Sequence, residues 1–218
     1  MISERAQLAF KRGQEWEERD NPAKAIKAYR EAAAIETNWL MPFQRLGILF
    51  LTLGRYNEAL ATYRLIKPLA PPGDGSIDDF IYVLGQIQAD QLDPAAFRYY
   101  VMARDMPDEQ LDKKMSLCQK ALGLSSTFAA PYAEIGKVLF AKGQLNQARA
   151  VLERGLFLDS SPFTQALLLF HLGHTLLFSY QYGEALTAFR RVIELNANPS
   201  ATQVAAKQLE DAAAVGHA

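Results

Sequence analysis

Residues 40–73 read LMPFQRLGILFLTLGRYNEALATYRLIKPLAPPG. Apolar side chains recur there at steps of three and four, the spacing of a helix with one buried face. Gly54 interrupts the run at a point where backbone freedom suits a tight turn, so the stretch reads as two helices of one hairpin. Its skeleton is Gly47, Ala59, Tyr63 and Ile66. The same skeleton stands 34 residues earlier as Gly13, Ala25, Tyr29 and Ala32. It returns as Gly136, Ala148, Leu152 and Gly155, and again as Gly173, Ala185, Phe189 and Val192. In all four copies the alanine follows the glycine by twelve residues, and an apolar residue follows the alanine by four. A helical hairpin repeated in this way cannot bury its own apolar face and must stack on its neighbours.

The expected fold class is all-α: a right-handed superhelix of antiparallel helical hairpins, with about 12 helices. Period-two runs of β-branched residues are absent from the sequence. Asn21-Pro22, Asp93-Pro94, Ser161-Pro162 and Asn198-Pro199 each place a capping side chain before a proline suited to a first helical turn. Gly143 marks a turn of the Gly54 kind. Repeats are expected at 6–39, 40–73, 129–162 and 166–199, with an alanine-rich capping helix at 199–213.

The stretch between breaks phase. Residues 77–107 read as a degenerate repeat carrying Ile81, Leu84 and Gly85 on its first helix and Ala96, Tyr100 and Ala103 on its second. Residues 108–128 are then an odd helix or partial repeat, with Leu117, Cys118, Ala121 and Leu124 apolar. The alternative phase makes 95–128 one repeat and leaves 77–91 unpaired. Either way one helix is odd, and a bend or a long helix kinked at Pro107 is expected.

Composition narrows the function classes. Of 218 residues half are hydrophobic and 22% charged, and the formal net charge is −1. With a pI near 6.3 the chain lacks the basic balance of a nucleic-acid binder. A lone cysteine, Cys118, excludes an internal disulfide. The most apolar stretch, 166–178, is interrupted by His171 and His174 and falls short of the ~20 residues that cross a bilayer. The opening residues lack a basic segment followed by an apolar run, so the expected location is cytoplasmic.

The repeated residues resemble the tetratricopeptide repeat family over nearly the whole chain. Repeat 40–73 offers Phe43, Leu46, Gly47, Phe50, Ala59, Tyr63 and Pro71; repeat 129–162 offers Tyr132, Ile135, Gly136, Leu139, Ala148 and Leu152. The last offers Leu169, Leu172, Gly173, Leu176, Ala185 and Phe189. The first departs more, with Arg12 where leucine is usual and Thr37 where proline is common. The resemblance implies a partner-binding groove lined by first helices. Its positions fall on Phe10, Gln14, Glu17, Met41, Gln44, Ile48, Leu51, Tyr82, Gln86, Lys137, Phe140, Phe170, His174, Leu177 and Phe178. Such a surface is apolar and suits a peptide or amphipathic helix. The alternative is that these side chains pack between repeats or against the chain's own odd helix. One subgroup of the family grips a terminal carboxylate with lysine, asparagine and arginine; the matching residues here are Phe10, Gln14 and Arg45, which disfavours that ligand.

No catalytic constellation emerges, and no cofactor is implied. His171 and His174 share a helix face but lack a third metal ligand nearby, so solvated or groove-lining histidines are expected. Cys118 reads as a buried thiol. Gly73-Asp74-Gly75-Ser76 lacks the strand and lysine of a phosphate loop, and Asp74, Asp78 and Asp79 read as favourable charge at a helix start. The expected function is a non-enzymatic scaffold or adaptor that binds a protein or peptide, with neither nucleic acid nor membrane insertion. An accessory domain of a larger enzyme, such as a glycosyltransferase, or of a secretion machinery, and a self-associating homo-oligomer, are the alternatives.

Overall fold

The computed structural model describes residues 2–214. Among them are twelve α-helices: α1 (Glu4–Glu18), α2 (Pro22–Ile35), α3 (Leu40–Thr52), α4 (Tyr56–Ile66), α5 (Ser76–Gln88), α6 (Pro94–Arg104), α7 (Leu111–Leu124), α8 (Ala130–Ala141), α9 (Leu145–Leu156), α10 (Pro162–Phe178), α11 (Tyr182–Leu195) and α12 (Pro199–Ala214). A short 3-10 turn, Lys67–Leu69, follows α4. No strand occurs among the described residues. The fold class is therefore all-α.

The four Asx/Ser-Pro starts act as caps. The side chains of Asn21, Asp93, Ser161 and Asn198 accept backbone N–H groups of Lys24, Ala95, Thr164 and Ala201 at 3.2, 2.7, 3.1 and 3.0 Å. Each satisfies a donor that the helix start would otherwise leave unpaired. The tight turns share one conformation. Gly54 and Gly143 have φ +69° and +71°, and the matching positions in the other two copies, Asp20 and Tyr180, have φ 51° and 60°. All four lie seven residues after the skeleton glycine. A left-handed residue is demanded at this place whether or not the sequence supplies glycine.

The skeleton glycines work as contact points. A Cβ built on Gly13 would lie 2.4 Å from the Tyr29 ring, on Gly47 2.7 Å from Tyr63, on Gly136 2.3 Å from Leu152 and on Gly173 2.6 Å from Phe189. In every copy the partner is the large residue four after the skeleton alanine. These alanines, Ala25, Ala59, Ala148 and Ala185, are fully buried. The repeated sequence therefore encodes one packing event, a large side chain laid on bare helix backbone.

The chain divides into two compact units: residues 1–72 with 83–88, and residues 73–82 with 89–218. In the first unit α1 packs on α2, α2 on α3 and α3 on α4. In the second each helix from α6 to α12 packs on the next, and α6, α8, α10 and α12 also touch in sequence as a row of first helices. The core of the second unit runs through Tyr132, Leu152, Leu168, Leu169, Phe189 and Val192 into Ala201 and Ala205 of α12.

In residues 74–128 helix α6 packs along α7, while the Arg104 guanidinium at the end of α6 stands 5.6 Å over the Phe80 ring of α5. Gly85 has no atom within 4 Å of a built Cβ, unlike the four skeleton glycines. The connection between α6 and α7 spans residues 105–110, against three residues in the other hairpins, which hides the register. Pro107 lies in this connection, so no long kinked helix forms. Helix α7 carries Lys114, Cys118 and Ala121 at the same steps from its start as Ala148, Leu152 and Gly155 in α9. All three are buried, while Leu124 of the expected apolar face is exposed.

Candidate partner-binding faces

In the first unit the expected groove residues divide between core and surface. Phe10 is buried, with its ring 5.3 Å from Tyr29 and 4.9 Å from Trp39. Leu51 is buried as well. Both belong to the core, because their helix faces are covered by the neighbouring helices. Gln14 is exposed and Gln44 and Gln86 are partly buried, while Met41 and Ile48 are 50% and 43% exposed. Glu17 is engaged within the protein. Its carboxylate accepts the Tyr29 hydroxyl and both Nε and Nη2 of Arg45, the latter at 3.0 and 2.6 Å. Burial and the Glu17 bond push the Tyr29 hydroxyl up to about 12. Arg45, the one basic residue at the carboxylate-gripping positions, is thus already paired.

In the second unit α8 and α10 bring the aromatic residues together. Phe140 meets Phe178 edge-on at 5.1 Å, and Phe178 is 60% exposed. One turn back on α10, His174 lies edge-on to Phe170 at 4.6 Å and to Phe189 at 5.2 Å. Phe170, His174 and Phe178 form a stripe at steps of four. Leu177, partly buried, lines a pocket of about 240 Å3 with Tyr182, Leu186 and Gln208. Next to the stripe, His171 is partly buried, and the alternative of a groove-lining histidine stays open. Burial first, then the charges of Lys137 and His174, hold its pKa down to about 4. Among the described residues no group of three metal-ligating side chains is found.

Lys137 donates to Asp108 Oδ1 at 2.9 Å, and Lys114 donates to the same oxygen at 2.8 Å. Lys114 sits where other second helices carry alanine and is 2% exposed. The hydrogen bonds of Lys114 and Lys137 lower the Asp108 carboxyl from 3.8 to about 2. A carboxylate depressed in the folded state stabilises the fold above its unfolded pKa and loses that contribution as pH falls through the folded value. Because Asp108 is 66% exposed, solvent screening limits the effect to about 1 kcal/mol. Urea midpoints measured between about pH 5 and about pH 2 should fall less in Asp108→Asn than in the wild type.

Burial pushes the Glu134 carboxyl up, and its Oε2 is enclosed without a hydrogen-bond partner. Cys118 is enclosed too, its thiol pushed up to about 12 by burial.

Asp79 has a role that the sequence does not announce. Its Oδ1 accepts the hydroxyls of Ser161 and of Thr164, the latter at 2.8 Å. Burial raises its pKa, opposed by these two bonds and by the charge of Arg104. Of the three acids expected to charge the helix start, Asp74 does bond locally, accepting Ser76 N–H at 3.0 Å. Asp79 instead makes a tertiary contact. Tyr82, an expected groove residue, bonds Asp159 and is pushed up to about 12, chiefly by burial.

No helix among the described residues is long and apolar enough to cross a membrane. Residues 166–199 match the family model described as tetratricopeptide repeat. Among similar solved structures is the TPR2AB domain of yeast Sti1 in complex with pHSP90, at 12% identity and TM-score 0.49, covering 95% of this chain and 98% of that one. TTC0263 of Thermus thermophilus, a thermophilic TPR protein, is 17% identical with TM-score 0.41, covering 94% and 98%. YrrB, described as a TPR protein with an unusual peptide-binding site, is 14% identical with TM-score 0.40, covering 91% and 90%. No curated protein sequence matches the chain. Residues 166–199 thus match a tetratricopeptide repeat, and the glycine–alanine skeleton they carry stands in three further copies along the chain.

Proposed function

We propose that the protein is a non-catalytic interaction scaffold that takes a peptide or amphipathic helix of a cytoplasmic partner on the aromatic face of α8 and α10. The observation that carries this reading is the stripe Phe170, His174 and Phe178 joined by Phe140. These are large aromatic groups kept partly open to solvent beside a finished core. Three of the four lie within the matched repeat. Aromatic anchors of this kind carry most of the binding energy in small interfaces. The Lys137–Asp108 pair gives the stripe a charged border. A non-enzymatic role fits the single thiol, which burial holds protonated and inert.

The test is capture from the source cell on immobilised wild type and on the double variant Phe140→Ala, Phe178→Ala. We expect a protein retained by the first and lost by the second by tenfold or more, with unchanged helicity. Equal retention by both would remove the aromatic stripe from the binding surface.

A further inference from the structure

Helices α7 and α8 pack side by side, and the charges at their junction do not pair one to one. Asp108, in the 105–110 connection, accepts from Lys114 of α7 and from Lys137 of α8 on the same oxygen, at 2.8 and 2.9 Å. Glu134 lies one turn before Lys137 on the same side of α8. Its Oε2 is enclosed without a hydrogen-bond partner, although the charges of both lysines, of Asp108 and of Arg104 reach it. Two carboxyls thus stand near two ammonium groups, and one of them holds both. The lysines differ in freedom. Lys114 is 2% exposed and fixed by packing, whereas Lys137 is 40% exposed and can turn on its flexible stem. The other charged groups nearby are engaged or neutral. Arg104 of α6 reaches Asp105 at 2.8 Å. On α9, Arg149 bonds Glu153 and Glu184, and Arg154 stands 5.7 Å over the Tyr132 ring. Burial keeps the proton on Tyr100 of α6 and on Cys118 of α7, and holds His171 of α10 neutral down to about 4.

We propose that Glu134 and Asp108 compete for the Lys137 ammonium, and that this exchange is a pH-sensitive latch between the 105–110 connection and α8. With Glu134 protonated, Lys137 is left to Asp108, and the connection is tied to both α7 and α8. Once Glu134 ionises, an enclosed carboxylate without a donor is costly. Lys137 then turns back along its own helix to pair with it at the i, i+3 step. Asp108 keeps Lys114 alone, and the connection comes away from α8. Burial pushes the Glu134 carboxyl up, while the bonds from Lys114 and Lys137 push Asp108 down to about 2. A carboxyl raised in the folded state keeps its proton through the ordinary carboxylate range, and the stability it lends is lost as pH rises through the folded value. The latch is closed between the two values and opens upward. Phe140 follows Lys137 by three residues on α8, so the latch lies at one border of the aromatic stripe without depending on that stripe as a binding surface.

The test is hydrogen exchange of the full chain over residues 105–112, expressed as protection factors, which remove the intrinsic pH dependence of exchange. From about pH 5, where a free glutamate is already mostly ionised, to about pH 8, protection in the wild type should fall. The expected fall is about fivefold, the loss of one partly exposed ion pair. Glu134→Gln keeps the shape but cannot ionise, so its protection should stay high and flat. Lys137→Met removes the shared donor, and its protection should be low and flat. Constant protection in the wild type overturns the inference. A fall that persists in Glu134→Gln overturns it too, and so does one that persists in Lys137→Met, since burial of Glu134 alone would then be the cause. Should the variants lose helicity, a carbon-13 titration of the wild type decides. The carboxyl signals of Glu134 and Asp108 should move together at one midpoint above the ordinary glutamate value, and an Asp108 signal that ignores the Glu134 transition overturns the exchange.

Discussion

Gly47→Leu is expected to destabilise the protein by about 3 kcal/mol, with thermal melting lowered by roughly 6–12 °C. Even a single added carbon would lie 2.7 Å from Cζ of Tyr63. Tyr63 is 3% exposed, so it cannot swing aside into solvent. The helices α3 and α4 would have to separate, and the loss of their contacts outweighs the ~1 kcal/mol that a helix gains when glycine is replaced. Gly85→Ala is the control. Gly85 also lies inside a helix, yet nothing stands within 4 Å of its built Cβ. There the replacement should stabilise by about 0.5–1 kcal/mol, because only the helix propensity changes. Melting curves of the two variants should move in opposite directions; a shared direction would mean that close approach is not the reason for glycine in the repeat.

Phe189→Ala is expected to cost about 3–5 kcal/mol. Phe189 is fully buried in the core of the second unit, and its ring covers the bare backbone at Gly173. Truncation leaves a cavity that α10 and α11 close only in part. Because Gly173 faces that cavity, Gly173→Leu should be harmful alone and partly restorative in the Phe189→Ala background. A double-mutant cycle by urea unfolding should therefore give a coupling of about 2 kcal/mol. Additive losses would show that the two residues do not share one contact.

The skeleton of four hairpins was legible because one local event recurs. Glycine, alanine and a large apolar residue must sit at fixed steps when a side chain lies on a backbone within one hairpin, and fixed steps are visible in a sequence. The same applies to the caps, where Asn21, Asp93, Ser161 and Asn198 bond donors two or three residues ahead. The left-handed turns were only half legible. Gly54 and Gly143 advertise them, but Asp20 and Tyr180 accept the same conformation, which their neighbours impose. The pairing of α6 with α7 was obscured by a longer connection and by Lys114 in a place that alanine holds elsewhere.

The expected groove residues divide for a similar reason. Position in a repeat tells which helix face a residue occupies, so Phe140, Phe170, His174 and Phe178 could be named together. It does not tell how far the next helix covers that face. Phe10 and Leu51 are in the core, whereas Met41 and Ile48, on the same helix as Leu51, remain open.

The sequence by itself determined the helices, their caps and the four glycine contacts, because each depends on residues within about one repeat of one another. Only the tertiary structure decided what the start of α5 touches. Asp79 meets Ser161 and Thr164 across 82 and 85 residues of chain. No spacing rule links residues so far apart, since their meeting depends on how several hairpins stack in between.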